Sequence, residues 1–307
     1  VRRMSTPTDI PISSRPGPEQ SAERMPEVPY TLDGAAVLHQ MLSVRWDKWH
    51  ALLPPERDAV VREATEALEA LEASGYSAAF SMLGHKGDLM LVHFRSSFDE
   101  LNEVEMRLNA LRLRDFFDIT HSYLSVVELG LYASTSKMHA EFTGKGFAPH
   151  SPEWNEGVEE TLERQRRAMA PRLWPQVPSN RYCCFYPMDR YRGEAKNWYT
   201  VPLAERQRMM HEHGMIGRRY AGSVKQIISG SIGFDKWEWG VDLFADDPIV
   251  FKKLIYEMRF DEVSAVYGLF GDFFVGLRFA AGQLGHFFAG TSPQWEAPTE
   301  IPTQPQE

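Results

Sequence analysis

Cysteine is almost missing: Cys183 and Cys184 are the only two in 307 residues, and they are adjacent. Neighbouring residues on an extended strand point to opposite faces, so pairing these two would strain the chain. Neither a disulfide framework nor a CxxC metal site can be built, which fits a reducing cytosol and makes a cytoplasmic location the expectation. Basic excess is missing as well. The formal net charge is −9, from 33 Lys and Arg against 42 Asp and Glu. That balance argues against a broad footprint for nucleic acid or anionic lipid and leaves room for a local basic pocket. No apolar run reaches the roughly 18 residues that a membrane span needs. The N-terminal stretch has no apolar signal core, and an HExxH zinc motif is absent.

What is present is a soluble, globular composition, 43% hydrophobic and 24% charged, with terminal stretches rich in Pro, Ser and charge. Residues 1–29 and 291–307 therefore read as disordered, dispensable tails. Between them the chain repeats itself. In the first half, the strand composition of Val37 to Trp46 is followed by a helix opened by Pro54 and Pro55, with Val61, Ala64, Leu68 and Leu71 on one face. Two strands follow around the turn Gly84 to Gly87. Ser97 and Glu100 then cap a second amphipathic helix, and "SYLSVVEL" closes as a strand. In the second half "RYCCFYPM" is a strand and "PLAERQRMMHEHG" a helix ending at Gly214. "VKQIIS" and "WEWGVDLFA" are strands, Asp247 and Pro248 cap a helix, and "GDFFVGLRF" closes the unit. The order β-α-β-β-α-β is that of the ferredoxin-like unit, and it occurs twice. The fold class read from this is α+β, two tandem units at 30–140 and 181–290 packing into a barrel-like core. The linker, 141–180, carries one charged helix starting at Ser151-Pro152.

Duplication exposes asymmetry, and asymmetry points to function. The first helix of the first unit ends "LEASG", whereas its counterpart ends "HEHG". His211 and His213 are two positions apart and point about 200° away from each other on a helix, so they cannot grip one ion together. They are either solvated residues favoured at a helix C-terminus, or one of them is a single axial ligand to a haem-type iron. Period two along "YCCFYPM" places Tyr182, Cys184, Tyr186 and Met188 on one face, with Cys183 and Phe185 on the other. Val224, Gln226 and Ile228 share a face, which puts Gln226 among apolar neighbours, where an amide needs partners. Arg172, Arg190, Arg192 and Arg259 are candidates for holding carboxylates in a bidentate fashion.

The run "FYPMDR…NWY…MMHEHGMIGRRYAGSVKQIISGSIGFDKWEWGVDLFA…FKKLIYEMRFDEVSAVYGLFGDFFVG" resembles the coproheme decarboxylases of the chlorite dismutase superfamily. The likeness is densest from about Arg181 to Gly276. It implies two ferredoxin-like units in a dimeric α+β barrel, and a substrate, iron coproporphyrin III (coproheme), that is oxidised by hydrogen peroxide to haem b. It implies that His213, not His211, is the proximal iron ligand and that Tyr186 becomes the radical that attacks a propionate. Gln226 stands at the distal position, where chlorite dismutases carry arginine and where actinobacterial relatives use a histidine from upstream, near Met169. Met188 and Arg190 fall beside the reacting propionate, Arg190 standing where relatives have lysine, a cation of different geometry. Arg172, Arg259 and Ser264 fall where propionates are held. A homopentamer and transient contact with a coproporphyrin ferrochelatase are further implications. A non-catalytic haem-binding or haem-transfer protein and a chlorite dismutase-like or peroxidase-like enzyme are the competing readings.

Overall fold

The computed structural model describes residues 28–296, so most of both expected tails lies outside the described residues. The first unit opens with β1 (Thr31–Val44), the short helix α1 (Trp46–Ala51) and α2 (Pro54–Glu72), the last with Pro in its first turn as expected. β2 (Ser77–Leu83) and β3 (Leu89–Arg95) follow. Next come α3 (Phe98–Asn109), whose Ser97 Oγ accepts from the Glu100 backbone N–H at 3.2 Å, and β4 (Phe117–Gly130). Two helices then cross to the second unit: α4 (Tyr132–Gly144) and α5 (Pro152–Leu173), of which only the second was legible. The second unit runs through β5 (Tyr182–Arg190), α6 (Leu203–Arg219), β6 (Lys225–Gly230) and β7 (Trp239–Ala245). It is completed by α7 (Ile249–Met258), α8 (Glu262–Tyr267), β8 (Gly268–Phe270) and β9 (Phe274–Phe279), with α9 (Leu284–Phe288) after it.

Among the described residues the strands form a sheet in the order β7-β6-β4-β1-β3-β2-β9-β5-β8, and β7 also pairs with β5. All the pairings between these strands are antiparallel. The first unit contributes β4-β1-β3-β2 and the second β6-β7-β5-β9, the same order in both. The β4–β6 and β2–β9 seams close the two into one ring. Alternate side chains point into the ring, and Val37, Met41, Phe80, Phe94, Tyr123, Phe185, Ile227 and Phe244 fill it as a core. His39 and Asp242 sit there too, fully buried and joined Nε2 to Oδ1 at 2.8 Å, one from each unit.

The helices cover the outer faces, and the two units differ in how they do so. In the first, α2 lays Val60, Ala64, Ala67, Leu68 and Leu71 onto the sheet. In the second, α6 buries Leu203, Arg206 and Met209, and its chief neighbours are α4, α7 and α8 rather than strands. Gly214 does not end α6, which continues to Arg219. An interior glycine costs a helix about 1 kcal/mol, and here Ile216 and Tyr220 beyond it pack into the cluster over β5 and β7. His211 and His213 are therefore mid-helix residues. Gln226, expected among apolar neighbours, is exposed together with Ile228.

Candidate functional site

The outer face of the second unit's sheet collects the chemistry. Register places Met188 opposite Trp239, Tyr186 opposite Val241 and Cys184 opposite Leu243. β6 extends these rows with Gly230, Ile228 and Gln226. Tyr186 and Gln226 thus share one face two strands apart, about 10 Å across the sheet at the usual strand spacing. The face between them is apolar.

Tyr186 is buried. Its ring stacks on Phe273 at 4.6 Å between centroids and approaches Phe270 at 5.9 Å. Burial raises its pKa well above the ordinary phenol value, and the guanidiniums of Arg259 and Arg190 offset only part of that rise. The phenol therefore keeps its proton at neutral pH. Arg259 itself is exposed, with its guanidinium 3.8 Å from the Phe270 ring centre. Met188 is buried beside the same phenylalanine, paired with it across β5 and β8. Arg190 ends the strand at 8% exposure, and burial lowers its pKa.

From the helical side comes His213, with its side chain 21% exposed. Its Nδ1 lies 2.9 Å from Asp261 Oδ2 and 3.4 Å from Ser264 Oγ. Asp261 caps α8: its Oδ1 accepts from the Ser264 backbone N–H at 2.8 Å, and its Oδ2 accepts from Ser264 Oγ at 3.2 Å. Burial pushes the Asp261 carboxyl up, but the bonds from His213 and from Ser264 outweigh it and hold its pKa below the usual value. An ionised Asp261 fixes the proton on Nδ1 and leaves Nε2 as a lone-pair donor, the arrangement that presents an imidazole to a metal. His211 is exposed on the other side of the helix. No group of three or more His, Cys, Asp or Glu that could hold a bare ion occurs among the described residues. One nitrogen is what a haem iron takes from the protein on its proximal side.

Gln226 and Arg172 line a different part of the surface, an open cleft of about 1010 Å³ whose walls include Lys225, Ile228, Gln176, Arg278 and Trp295. Arg172 is exposed in the last turn of α5, and that turn is set against β1 at Gly34, where a side chain would collide with the Leu173 carbonyl. Trp295 docks onto this wall: its indole N–H donates to the Ser179 carbonyl at 2.8 Å and its ring lies 4.2 Å from the Arg278 guanidinium. The structure therefore brings Tyr186, Met188, Arg190, Arg259, His213 and Ser264 to one end of the face and Gln226 with Arg172 to the other. Asp261, Phe270 and Phe273 were not anticipated. Asp261-x-x-Ser264 is a helix-start signal in the sequence, but nothing there ties it to a histidine 48 residues earlier.

The family model for chlorite dismutase matches residues 57–279. The chain belongs to the chlorite dismutase family. It is 41% identical to a coproheme decarboxylase from Staphylococcus saprophyticus over 270 residues, which cover 86% of this chain and all of that protein. A heme-binding protein of Haloquadratum walsbyi is 40% identical over 285 residues, 91% of this chain but only 50% of the longer relative. Among solved structures, a heme-binding protein from Thermus thermophilus is similar with a TM-score of 0.72 at 38% identity, over 86% of this chain and 99% of that one. A chlorite dismutase from Candidatus Nitrospira defluvii shares the fold at 17% identity, with a TM-score of 0.62 over 84% of this chain and 96% of that one. This chlorite dismutase family member therefore has the family's mixed α+β architecture with a large antiparallel sheet. No described helix is long and apolar enough to cross a membrane.

Proposed function

We propose that the protein catalyses the peroxide-dependent oxidative decarboxylation of iron coproporphyrin III to haem b, through a three-propionate intermediate, as the last step of coproporphyrin-dependent haem synthesis. The observation that carries this reading is the arrangement around Tyr186. A buried, protonated phenol lies within electrostatic reach of two guanidiniums, on a sheet face that α6 leaves uncovered at its far end, with the Asp261-oriented His213 on that helix. The likeness to a coproheme decarboxylase along its whole length supports it.

The residues fit the tetra-acid. Arg190 is a buried cation with no hydrogen bond from its guanidinium to a carboxylate among the described residues, Arg259 is an exposed cation against Phe270, and Arg172 is one in the cleft with Gln226. Such a distribution lets an acidic protein of net charge −9 hold four carboxylates. When bound, the iron supplies the oxidising equivalents of hydrogen peroxide. His213 would hold that iron through Nε2. Gln226 would offer peroxide a neutral amide, able to hydrogen-bond but not to act as a strong acid or base. Tyr186 gives up an electron and its proton, and the phenoxyl takes a hydrogen from the propionate β-carbon. Carbon dioxide leaves as the carbon radical passes a second electron to the remaining oxidising equivalent of the peroxide, so a vinyl group remains and each propionate consumes one peroxide. Reacting atoms must come within roughly 3–3.5 Å for this, and Met188 and Arg190 on the same strand face fix the propionate edge beside the phenol. Arg190 replaces the lysine of relatives with a planar fork, which recognises a carboxylate through two parallel bonds.

The same reading places the protein in the cytoplasm, with coproheme delivered by transient contact with a coproporphyrin ferrochelatase. It also makes the assembly a homopentamer. Ile249 and Tyr256 on α7 and Phe260 just beyond it are exposed in a single copy, as a self-associating surface requires.

The test is to add iron coproporphyrin III to purified protein, titrate hydrogen peroxide and follow products by mass spectrometry. Two successive losses of a carboxyl group, each using about one peroxide, are expected. Tyr186→Phe should bind coproheme and release no carbon dioxide, and normal turnover in that variant would sink the mechanism. Bleaching without decarboxylation would leave a haem-binding protein, and rapid oxidation of added donors would point to a peroxidase.

A further inference from the structure

Residues 271–273 join β8 to β9 and belong to no strand. Phe273 among them nevertheless carries the ring stacked on Tyr186, at 4.6 Å between centroids and 27° between planes, nearer than Phe270 at 5.9 Å. The backbone of this link is tied down at both ends. The Gly271 N–H donates to the Pro187 carbonyl at 2.9 Å, and the Phe273 carbonyl accepts from Lys86 Nζ at 2.6 Å. Lys86 comes from the first unit, 187 positions earlier.

The hairpin between β2 and β3 is built to present that lysine. Gly84 and His85 turn through the left-handed region at φ 92° and 59°, a conformation that few non-glycine residues adopt. Behind the tip, the Thr120 hydroxyl on β4 donates to the Lys86 carbonyl at 2.8 Å, and the Asp88 N–H donates to the Leu42 carbonyl at 2.7 Å. On this anchored backbone the Lys86 side chain is half-buried, its ammonium 5.9 Å from the centre of the Phe274 ring. Its charge is felt on the face of Tyr186: burial and Asp242 raise the Cys184 thiol, and Lys86 offsets part of that rise. Ordering a lysine costs rotamer freedom, so one that is captured by a carbonyl and a ring face marks a fixed point. Neither partner is a residue proposed to hold the porphyrin.

We propose that Lys86 is a positioning residue for the decarboxylation. By fixing the Phe273 carbonyl it fixes the ring on which Tyr186 stacks, and so the direction in which the phenol oxygen meets the propionate. The first unit thus sets the geometry of a reaction carried out on the second. This rests on the decarboxylase reading above.

Lys86→Met removes the donor and keeps the length of the side chain, and Lys86→Arg keeps a cationic donor. The first readout needs no porphyrin. The apo-protein is labelled with 3-fluorotyrosine, and the fluorine resonance of residue 186, one of eleven tyrosines, is assigned by its loss in Tyr186→Phe. Lys86→Met should shift and broaden that resonance, as the ring current of Phe273 is averaged, and leave most of the others in place. Lys86→Arg should restore it. With coproheme and peroxide, Lys86→Met should lower kcat about tenfold, as a loosened reacting group does, with coproheme affinity within about twofold of wild type. Phe273→Leu should lower kcat by a similar factor, and adding Lys86→Met to it should cost nothing more, because both act through one ring. Multiplied losses in the double variant, an unmoved resonance in Lys86→Met, or wild-type kcat in Phe273→Leu would each overturn the assignment, the last whether or not the lysine variants fold. Wild type that gives no carbon dioxide removes the decarboxylase reading instead and leaves the fluorine result to judge the link between Lys86 and Tyr186.

Discussion

Asp261→Asn isolates the group that orients the iron ligand. Asparagine keeps an oxygen for the Ser264 backbone N–H, now 2.8 Å from Asp261 Oδ1, and is as good a helix cap as aspartate, so α8 should stay in place. The change falls on the second oxygen, 2.9 Å from His213 Nδ1, which an amide NH2 replaces, so the acceptor for the Nδ1 proton is lost. A hydrogen bond to a charged group contributes about 1.5–3 kcal/mol. The variant should therefore lose about 1.5–3 kcal/mol of ligand positioning, or roughly ten- to hundredfold in coproheme affinity, in line with what removal of outer-shell partners costs elsewhere. Imidazole that shares its proton less with an anion is also the weaker donor to iron. The iron–histidine stretch of the ferrous coproheme complex, read by resonance Raman, should move to lower frequency. The folded Asp261 carboxyl titrates below its ordinary value of 3.8. Its contribution is thus complete above that pH and is lost only as pH falls through the lower, folded value. Wild type and variant should differ by the same amount throughout the neutral range. An unchanged stretch together with unchanged affinity would show that Asp261 does not orient the ligand and would return His211 to consideration.

Two stability predictions follow from the interior. His39→Leu leaves the fully buried Asp242 carboxylate without its 2.8 Å partner and should cost about 3–5 kcal/mol in urea unfolding, whereas His39→Leu with Asp242→Leu should recover most of it. Equal loss in the single and double variants would refute the pairing. His93, buried with Nδ1 2.8 Å from Ser77 Oγ, has its pKa lowered from 6.5 to about 3, first by burial and then by Arg95 and His39. Between those values the unfolded chain binds a proton that the folded chain refuses, so stability falls as pH drops from 6.5 towards 3, by about 3 kcal/mol at pH 4. His93→Gln should flatten that slope in urea titrations at a series of pH values, and a variant that keeps the full slope would contradict the assignment.

Much of the fold was legible because the duplication doubles every signal: a turn or a cap that is ambiguous once is informative when it recurs at the matching place in the second half. What escaped did so for physical reasons. α4, "YASTSKMHAEFTG", has little apolar patterning of its own, and its buried Met138 and Phe142 cluster with Trp154 and Val158 of α5. The closing strand of the second unit is broken into β8 and β9 near Gly271, where a side chain would press on Pro187 and Trp237, a contact that no local sequence signal announces. The site divides in the same way. Period two put Tyr186 and Met188 on one face, and the resemblance separated His213 from His211. Asp261 and Phe273 reach His213 and Tyr186 only through tertiary packing. The comparison of α2 with α6 joins the two levels. Both are the first helix of a β-α-β-β-α-β unit, yet α2 buries five apolar residues on the sheet, whereas α6 buries two apolar residues and an arginine and leaves Ile228 and Gln226 exposed at the far end of that face. Apolar area left in water forfeits roughly 25 cal/mol per Å², so the exposed Ile228, beside the buried Val241 and Leu243, is a standing loss to the free protein. A flat, apolar macrocycle with acidic edges, laid between that face and the arginines around it, recovers the loss on binding, which makes the second unit the half that gains most stability from its ligand.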